Sequence, residues 1–554
     1  MKDEAAEVIP VYEALARDLK AMQVEVVFAL MAEDTALLAV TLDAMGIQLC
    51  GARHENNAVA MAEGYAAASG RLAVALIGRG PATANGLHAS VYASRTGSGV
   101  LLICGAAAAR PRLNGLGPDT KALQSVQVLT AAGVAAFCPS NAGAARHALA
   151  EACEVARRGT LAALLLPLDV QQESIAYAPP PPPVSAPIAE PAMGRPAAIA
   201  AAAALLAQAR RPLIVAGKGA WKAGARAALE QLADKLGAGL CTTLKAKDLF
   251  RGHPFNAGIV GSFSLSAGRR LIDQADCVLA FGAGLNQRTT SVGTSIPAGV
   301  PLVQVDTARR SIGQNWHADV AIVGDAAVVA QQLLQAMPDR PAADKPLHGA
   351  EQRQALAAFR PEQDFTAAHT AHTVDPRSLA IALDQLLPED RNLVFDAGNF
   401  LGALPYFGVG GPHALKNTSE FGSIGLGLGT ALGWRRGTAA ACTVLIIGDG
   451  GLLMALGELE TMVREDLPLV IVVMNDCAYG AETHFLKNRN MPVAKSLFAD
   501  VDFAALARTL GIESATIRSL DDLHSLRSML MAPDGPVLLD CKINGAVAAP
   551  FTAE

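Results

Sequence analysis

A basic excess is missing from this sequence. Its 45 Lys and Arg stand against 51 Asp and Glu, for a formal net charge of −6. Without a basic run to neutralise phosphates, a nucleic-acid-binding role is excluded. Cys-x-x-Cys pairs are also missing. The nine cysteines are scattered, so neither a disulfide framework nor a zinc site is expected. Membrane-length apolar runs are absent. The purely apolar stretch between the first two pieces of the chain, Ala197 to Ala207, is alanine-dominated, ends at Gln208, and is too short to span a bilayer. Met1-Lys2-Asp3-Glu4 is charged and has no apolar signal core behind it. The composition is not that of a disordered chain, because 51% of residues are hydrophobic and the net charge is small. The expectation is a soluble cytoplasmic enzyme, without nucleic-acid or membrane partners. Its 554 residues suffice for three or four domains with real cores.

Proline divides the chain. Pro179 to Pro183 are consecutive prolines, and Pro187, Pro191 and Pro196 follow, so this segment is extended and semi-rigid. Pro338, Pro341 and Pro346 mark a second boundary. The expected plan is a domain over 1–177, a proline-rich linker over 178–195, a central domain over 196–337, a linker over 338–370 and a third domain over 371–554. Each piece alternates short apolar runs with alanine-rich helical patterns. Strands are expected at 24–29, 47–52, 73–77, 100–104 and 162–166, then at 213–216, 238–242, 277–281 and 301–305, then at 392–396, 442–447, 469–474 and 537–541. Strands apolar on both faces and joined by helices mean parallel sheets, so the expected fold is α/β, with three doubly wound parallel-sheet domains. Ligands in such sheets bind at the carboxyl ends of strands.

One such end carries chemistry. The apolar run from Thr443 to Ile447 leads into Gly448-Asp449-Gly450-Gly451. Glycines let backbone turn closely around a phosphate, and Asp449 supplies a hard oxygen for a divalent cation. The next strand ends in Asn475-Asp476, 27 residues after Asp449. That spacing fits one helix and one strand and brings both side chains to the same sheet edge. Gly-Asp-Gly alone is often an ordinary turn with a helix cap. Together with Asn475-Asp476 it is far more specific.

The combined pattern resembles the metal and diphosphate motif of thiamine-diphosphate (ThDP) enzymes. The resemblance extends over essentially the whole chain and is strongest to their acetolactate synthase-like branch, which includes benzoylformate decarboxylase types. It implies pyrimidine-binding, central and diphosphate-binding domains, ThDP and Mg²⁺ as cofactors, and Asp449, Asp476 and the Ala478 carbonyl as metal ligands. Gly448, Gly450, Gly451, Tyr479 and Gly480 flank them as cofactor-binding positions. Where the family often has Asn-Asn, this chain has Asn475-Asp476, which adds a negative charge.

Arg53-His54-Glu55, ahead of a helical run, is similar to the family's segment carrying its activating acid. Read alone, Glu55 is a first-turn glutamate complementing a helix dipole. The resemblance implies that it shares a proton with the cofactor's aminopyrimidine and so promotes the ylide. Gly80-Pro81-Ala82-Thr83-Ala84-Asn85 resembles a cofactor-contacting turn that includes Pro81 and Asn85. Asp396-Ala397-Gly398-Asn399-Phe400 resembles a diphosphate-contacting turn. Phe421-Gly422-Ser423-Ile424-Gly425 resembles the loop that wedges under the bent cofactor, with Ile424 as wedge and the Gly422 carbonyl toward the 4′-amino group.

Gln124 falls where the acetolactate synthase-like branch lines its site, and Arg211 to Gly219 opens the middle domain as in that branch. Glu482 and His484 are candidate proton donors, and Phe485 stands where the branch shapes its acceptor pocket with Trp. Glu33 and Asp34 replace a glycine-rich loop near the site. FAD is not expected, because Gly284 and Phe263 stand where flavin-binding members have Arg and His, although Arg288 is retained.

The implied activity is decarboxylation of a 2-oxo acid and ligation of the resulting carbanion to an aldehyde or second oxo acid, giving 2-hydroxy ketones or acetohydroxy acids. Alternatives are a simple decarboxylase, a lyase for 2-hydroxy ketones or 2-hydroxyacyl-CoA, and a non-catalytic binding or regulatory protein on the same fold. The family builds its site between subunits, which implies at least a homodimer, with a homotetramer expected.

Overall fold

The computed structural model describes residues 7–110, 119–180, 190–341, 345–439, 442–533 and 535–553. Three six-stranded sheets, parallel throughout, carry the architecture. In spatial order the first holds Gln48–Gly51, Val26–Ala29, Ala73–Ile77, Val100–Ala106, Leu161–Pro167 and Ala135–Phe137. The second holds Asn256–Ile259, Gly239–Thr242, Pro212–Ala216, Cys277–Phe281, Leu302–Asp306 and Val320–Val323. The third holds Leu415–Asn417, Arg391–Phe395, Cys442–Gly448, Val470–Asn475, Val537–Lys542 and Glu513–Ile517. Val8–Pro10 and Ser174–Ala176 add a separate antiparallel pair.

Every strand expected from the sequence forms. Alternate residues of the inner strands feed opposite cores. Phe28, Ala75 and Ile77 enter one cluster, while Val27, Val74 and Leu76 enter another. Both faces are therefore buried, as β-branched and Leu-rich runs demand. The parallel strands that the sequence pattern missed are Ala135–Phe137, Asn256–Ile259, Val320–Val323, Leu415–Asn417 and Glu513–Ile517. All five are edge strands. They are three to five residues long and their burial is mixed, so they lack the long, fully buried run of a central parallel strand. No helix among the described residues is long and apolar enough to cross a membrane.

The first and third units share a core. Helix Glu55–Ser69 lies along helix Gly427–Gly437, and residues of both sheets join one buried cluster. The approach is too close for side chains at two points. A Cβ on Gly64 would sit 2.0 Å from the Thr430 carbonyl oxygen, and one on Gly433 would sit 1.8 Å from that of Met61. A buried ion pair locks the same contact. Glu63 is fully buried and accepts from Tyr92 Oη at 3.0 Å, from Ser98 Oγ at 2.8 Å and from Lys416 Nζ. Removing one partner of such a pair typically costs about 3–5 kcal/mol, since the other charge stays buried.

Candidate functional site

The third sheet sets the geometry. Cys442–Gly448 and Val470–Asn475 pair in parallel, with Gly448 opposite Met474. The residues that follow each strand therefore emerge side by side. Asp449 begins the helix Asp449–Met454 and is 2% exposed. Its Oδ1 accepts from the Gly450 N–H at 2.9 Å, while its Oδ2 is buried with no hydrogen-bond partner. Burial pushes its pKa up to about 6, against the N–H groups of Gly450, Cys477 and Ala478. Asp476 rises to about 7, first through burial and then through the charge of Asp449. Two neighbouring carboxylates, both raised by burial and one also by the charge of the other, form with the orphaned oxygen a donor set that a hard divalent cation would satisfy.

The glycines let the chain pass close to these side chains: a Cβ on Gly480 would stand 2.6 Å from Asp476 Oδ2 and one on Gly450 2.8 Å from the Tyr479 ring. Residues 496–498 brace this loop: Tyr479 N donates to Ser496 O at 2.8 Å and Phe498 N to Cys477 O at 3.0 Å. Ala478 is buried, while Tyr479 is 40% exposed and meets Phe498 edge-on. These features fit a bound metal and diphosphate.

Glu55 opens the helix Glu55–Ser69, with His54 as its N-cap. The His54 ring accepts from the Asn56 N–H at 3.1 Å. Asn85 Nδ2 donates to the Glu55 carboxylate at 3.1 Å. Asn85 lies on helix Pro81–Thr96, whose proline takes the first helical position. One turn further along that helix, His88 Nε2 meets Ser423 Oγ at 2.6 Å. The first unit's acid and the third unit's Gly422–Ile424 loop are thus tied to one helix. Gly422 has a φ of 73° at the end of the turn Ser419–Phe421, and Ile424 is half-buried beside it.

The turn after Arg391–Phe395 divides its labour. Asp396 is fully buried and its pKa is raised by that burial. It accepts from the Gly425 N–H and from Thr418 Oγ1, each at 2.8 Å, and so pins the loop that carries Gly422 to Ile424. Asn399 is occupied with the chain's last segment. It donates to Val547 O at 2.9 Å and accepts from Ala549 N at 2.8 Å. These two bonds brace the turn against that segment. Phe400 is buried beside Gly398 and Gly448, and Ala397 is half-buried.

Gln124 and His484 are the two other catalytic residues expected from the sequence. Gln124 is exposed at the start of helix Ser125–Ala131, and its side chain makes no hydrogen bond among the described residues. His484 is 6% exposed on helix Gly480–Lys487, and its Nε2 is buried without a partner. Burial, then Lys487, lowers its pKa, against the Gly545 backbone.

Glu458 escaped the sequence reading. Fully buried in the third unit, it accepts from the N–H groups of Arg53 and His54 at 2.9 and 3.0 Å and from Asn57 Nδ2 at 3.1 Å. In the sequence it resembles any glutamate early in a helix. His88 likewise carried no signal, because its partner Ser423 is 335 residues away.

The retained Arg288 is engaged: its guanidinium lies 4.1 Å over the Phe551 ring, which also packs on Phe263. Beside Gly284 the space where a longer side chain would stand is open.

Comparison with known proteins agrees with this geometry. The N-terminal TPP binding domain of thiamine pyrophosphate enzymes matches residues 9–131, their central domain residues 199–333, and their C-terminal TPP binding domain residues 396–541. A probable 2-ketoarginine decarboxylase of Pseudomonas aeruginosa is 30% identical over 524 residues, covering 92% of this chain and 90% of its own. A probable acetolactate synthase large subunit of Methanocaldococcus jannaschii is 28% identical over 510 residues, covering 90% and 86%. A sulfoacetaldehyde acetyltransferase of Rhodobacter capsulatus is 27% identical over 572 residues, covering 97% and 95%. By three domain matches in family order and by this full-length similarity, the chain belongs to the thiamine-diphosphate-dependent enzymes, in their acetolactate synthase-like branch.

Proposed function

We propose that this protein is a ThDP- and Mg²⁺-dependent enzyme that decarboxylates a 2-oxo acid and joins the resulting acyl unit to an aldehyde, ketone or second oxo acid. The observation that carries the reading is the pairing of buried Asp449 with half-buried Asp476 at adjacent parallel strand ends, with an unpartnered oxygen on Asp449. Asp449, Asp476 and the Ala478 carbonyl would hold the metal, and the glycine backbone beside them would accept the diphosphate. When bound, ThDP would supply a carbon nucleophile and a cationic ring that takes up the electrons left by CO₂. Glu55 gives and takes a proton at the cofactor's pyrimidine nitrogen, and Asn85 holds its carboxylate in one orientation. His88 and Asp396 fix the loop from Gly422 to Ile424, on which the pyrimidine would rest.

The family's two-chain site supports a homodimer at least, and we favour a homotetramer. Nine free cysteines agree with a reducing, cytoplasmic setting. The test is a panel of 2-oxo acids, with and without ThDP and Mg²⁺, followed by CO₂ release and product identification. Cofactor-dependent CO₂ release with a 2-hydroxy ketone or acetohydroxy acid product is expected. Aldehyde alone would identify a simple decarboxylase, and no turnover with any oxo acid would overturn the reading.

A further inference from the structure

The run from Arg211 to Gly219 has no part in the chemistry above. Lys218 begins the short helix Lys218–Lys222, and its side chain lines a cavity of about 880 Å³ where the three units meet. Arg95 and Arg157 of the first unit, Lys222 and Lys245 of the second and Lys416 of the third line the same cavity. Glu420 is its one carboxylate among the described residues, and it already pairs with Lys245 at 3.2 Å. Lys416 is committed to Glu63. Lys218 has no carboxylate partner among the described residues, and its Nζ donates to the backbone carbonyl of Thr96 in the first unit. Next to it is Gly97, where even a Cβ would stand 3.0 Å from Nζ, so the amine faces backbone without a side chain in the way.

We propose that Lys218 is a modification site at which small acyl phosphates, drawn into this basic cavity, acylate Nζ. The cations concentrate the phosphate-bearing reagent. The Nζ lone pair attacks the acyl carbon, the N–C bond forms and the bond from that carbon to the phosphate oxygen breaks. Phosphate leaves with the electron pair, stabilised by the same cations that drew it in, and the amine's proton passes to solvent. No oxidant or reductant is needed.

The environment also supplies the neutral amine that the step requires. Burial first, then the charges of Lys416, Lys245 and Lys222, bring the Lys218 pKa down to about 8, against the pull of Glu420. Near neutral pH this leaves roughly a hundredfold more unprotonated amine than an ordinary lysine holds. The product exchanges a cation for a neutral amide and alters the Lys218–Thr96 contact between the central and first units.

The experiment exposes the holoenzyme to acetyl phosphate and follows acetylation at each lysine by peptide mass spectrometry. Lys218 should react about tenfold or more faster than the exposed Lys20 and Lys495. Its rate should rise with pH and level off a little above about pH 8. K218R should remove the first rapid acetyl addition from the intact mass. High salt and inorganic pyrophosphate should both slow the Lys218 reaction selectively. A Lys218 rate no greater than that of Lys495 overturns the proposal. So does an equal Lys218 preference for a neutral acetyl ester, because that would show that the cavity's charge does not select the reagent.

Discussion

The Glu458 carboxylate of the third unit accepts the N–H of His54, the residue before Glu55, at 3.0 Å. It takes the Arg53 N–H and the Asn57 amide as well, so one buried acid holds the start of the helix that presents Glu55. E458A should leave these donors without a partner and destabilise the protein by about 3 kcal/mol or more. E458Q keeps an acceptor and should cost less. Denaturant midpoints of the two variants check the ordering. Equal midpoints for E458A and the parent protein would remove Glu458 from this role.

Glu55 is assigned to proton transfer and not to anchoring, so E55Q should still bind ThDP. Its turnover should fall by about 10²–10⁴-fold, the usual share of a general acid–base group. Steady-state rates alongside calorimetric cofactor titration separate the two properties. Near-normal turnover would end the assignment.

Asp449 is argued to be the hard ligand between metal and diphosphate, and its orphaned Oδ2 is the structural reason. D449A should abolish Mg²⁺-dependent ThDP binding while keeping the fold, because the lost carboxylate leaves phosphate charge uncompensated. Titration calorimetry with circular dichroism on the same sample tests both halves. Unchanged cofactor affinity would contradict the metal role.

The legible parts of this molecule were those with local pattern. Inner strands such as Cys442–Gly448 and Val470–Asn475 are buried on both faces and read as unbroken apolar runs. Edge strands such as Leu415–Asn417 are half-solvated and short, so their sequence looks like loop. The same division holds for the site. Gly448 to Gly451 and Asn475-Asp476 are contiguous motifs on consecutive strands. Glu458 and His88 act by holding a segment distant in sequence, and nothing local distinguishes them, while Asp396 lies in a marked turn whose hold on Gly425 the motif did not reveal. Asn399 sits in the turn the motif indicated, yet folding spends its amide on Val547 and Ala549.

Acid should loosen the seal between the central unit and the segment after it. His348 stacks on Phe255 at 3.8 Å and its Nε2 meets Ala238 O at 2.8 Å, with the His253 ring 6.3 Å away. Burial lowers the His348 pKa below its ordinary 6.5, helped by His253 and Lys345 and opposed by the Ala238 carbonyl and Asp234. A base whose folded pKa lies below its unfolded value contributes stability that is present above the unfolded pKa. That contribution is lost as pH falls through the folded one. Amide protection factors over residues 345–358 should therefore fall below about pH 6. H348F keeps a ring for the stack and removes the titration, so its protection should respond less to acid. An identical acid response in H348F would refute the assignment.

The purified protein should carry ThDP and Mg²⁺ without stoichiometric FAD. Gly284 and Phe263 replace two groups that grip flavin in relatives, and the face of Arg288 is covered by Phe551 at 4.1 Å. Losing a charge-assisted contact to a diphosphate costs about 1.5–3 kcal/mol. That is roughly a ten- to hundredfold loss of affinity for each such contact. The Phe551 ring would also have to leave Arg288 before a dinucleotide could use that cation, which weakens binding further. An absorption spectrum of the protein as isolated decides the matter. A flavin band matching the protein's molar concentration would mean that Arg288 releases Phe551 and that the two substitutions cost less than their chemistry implies.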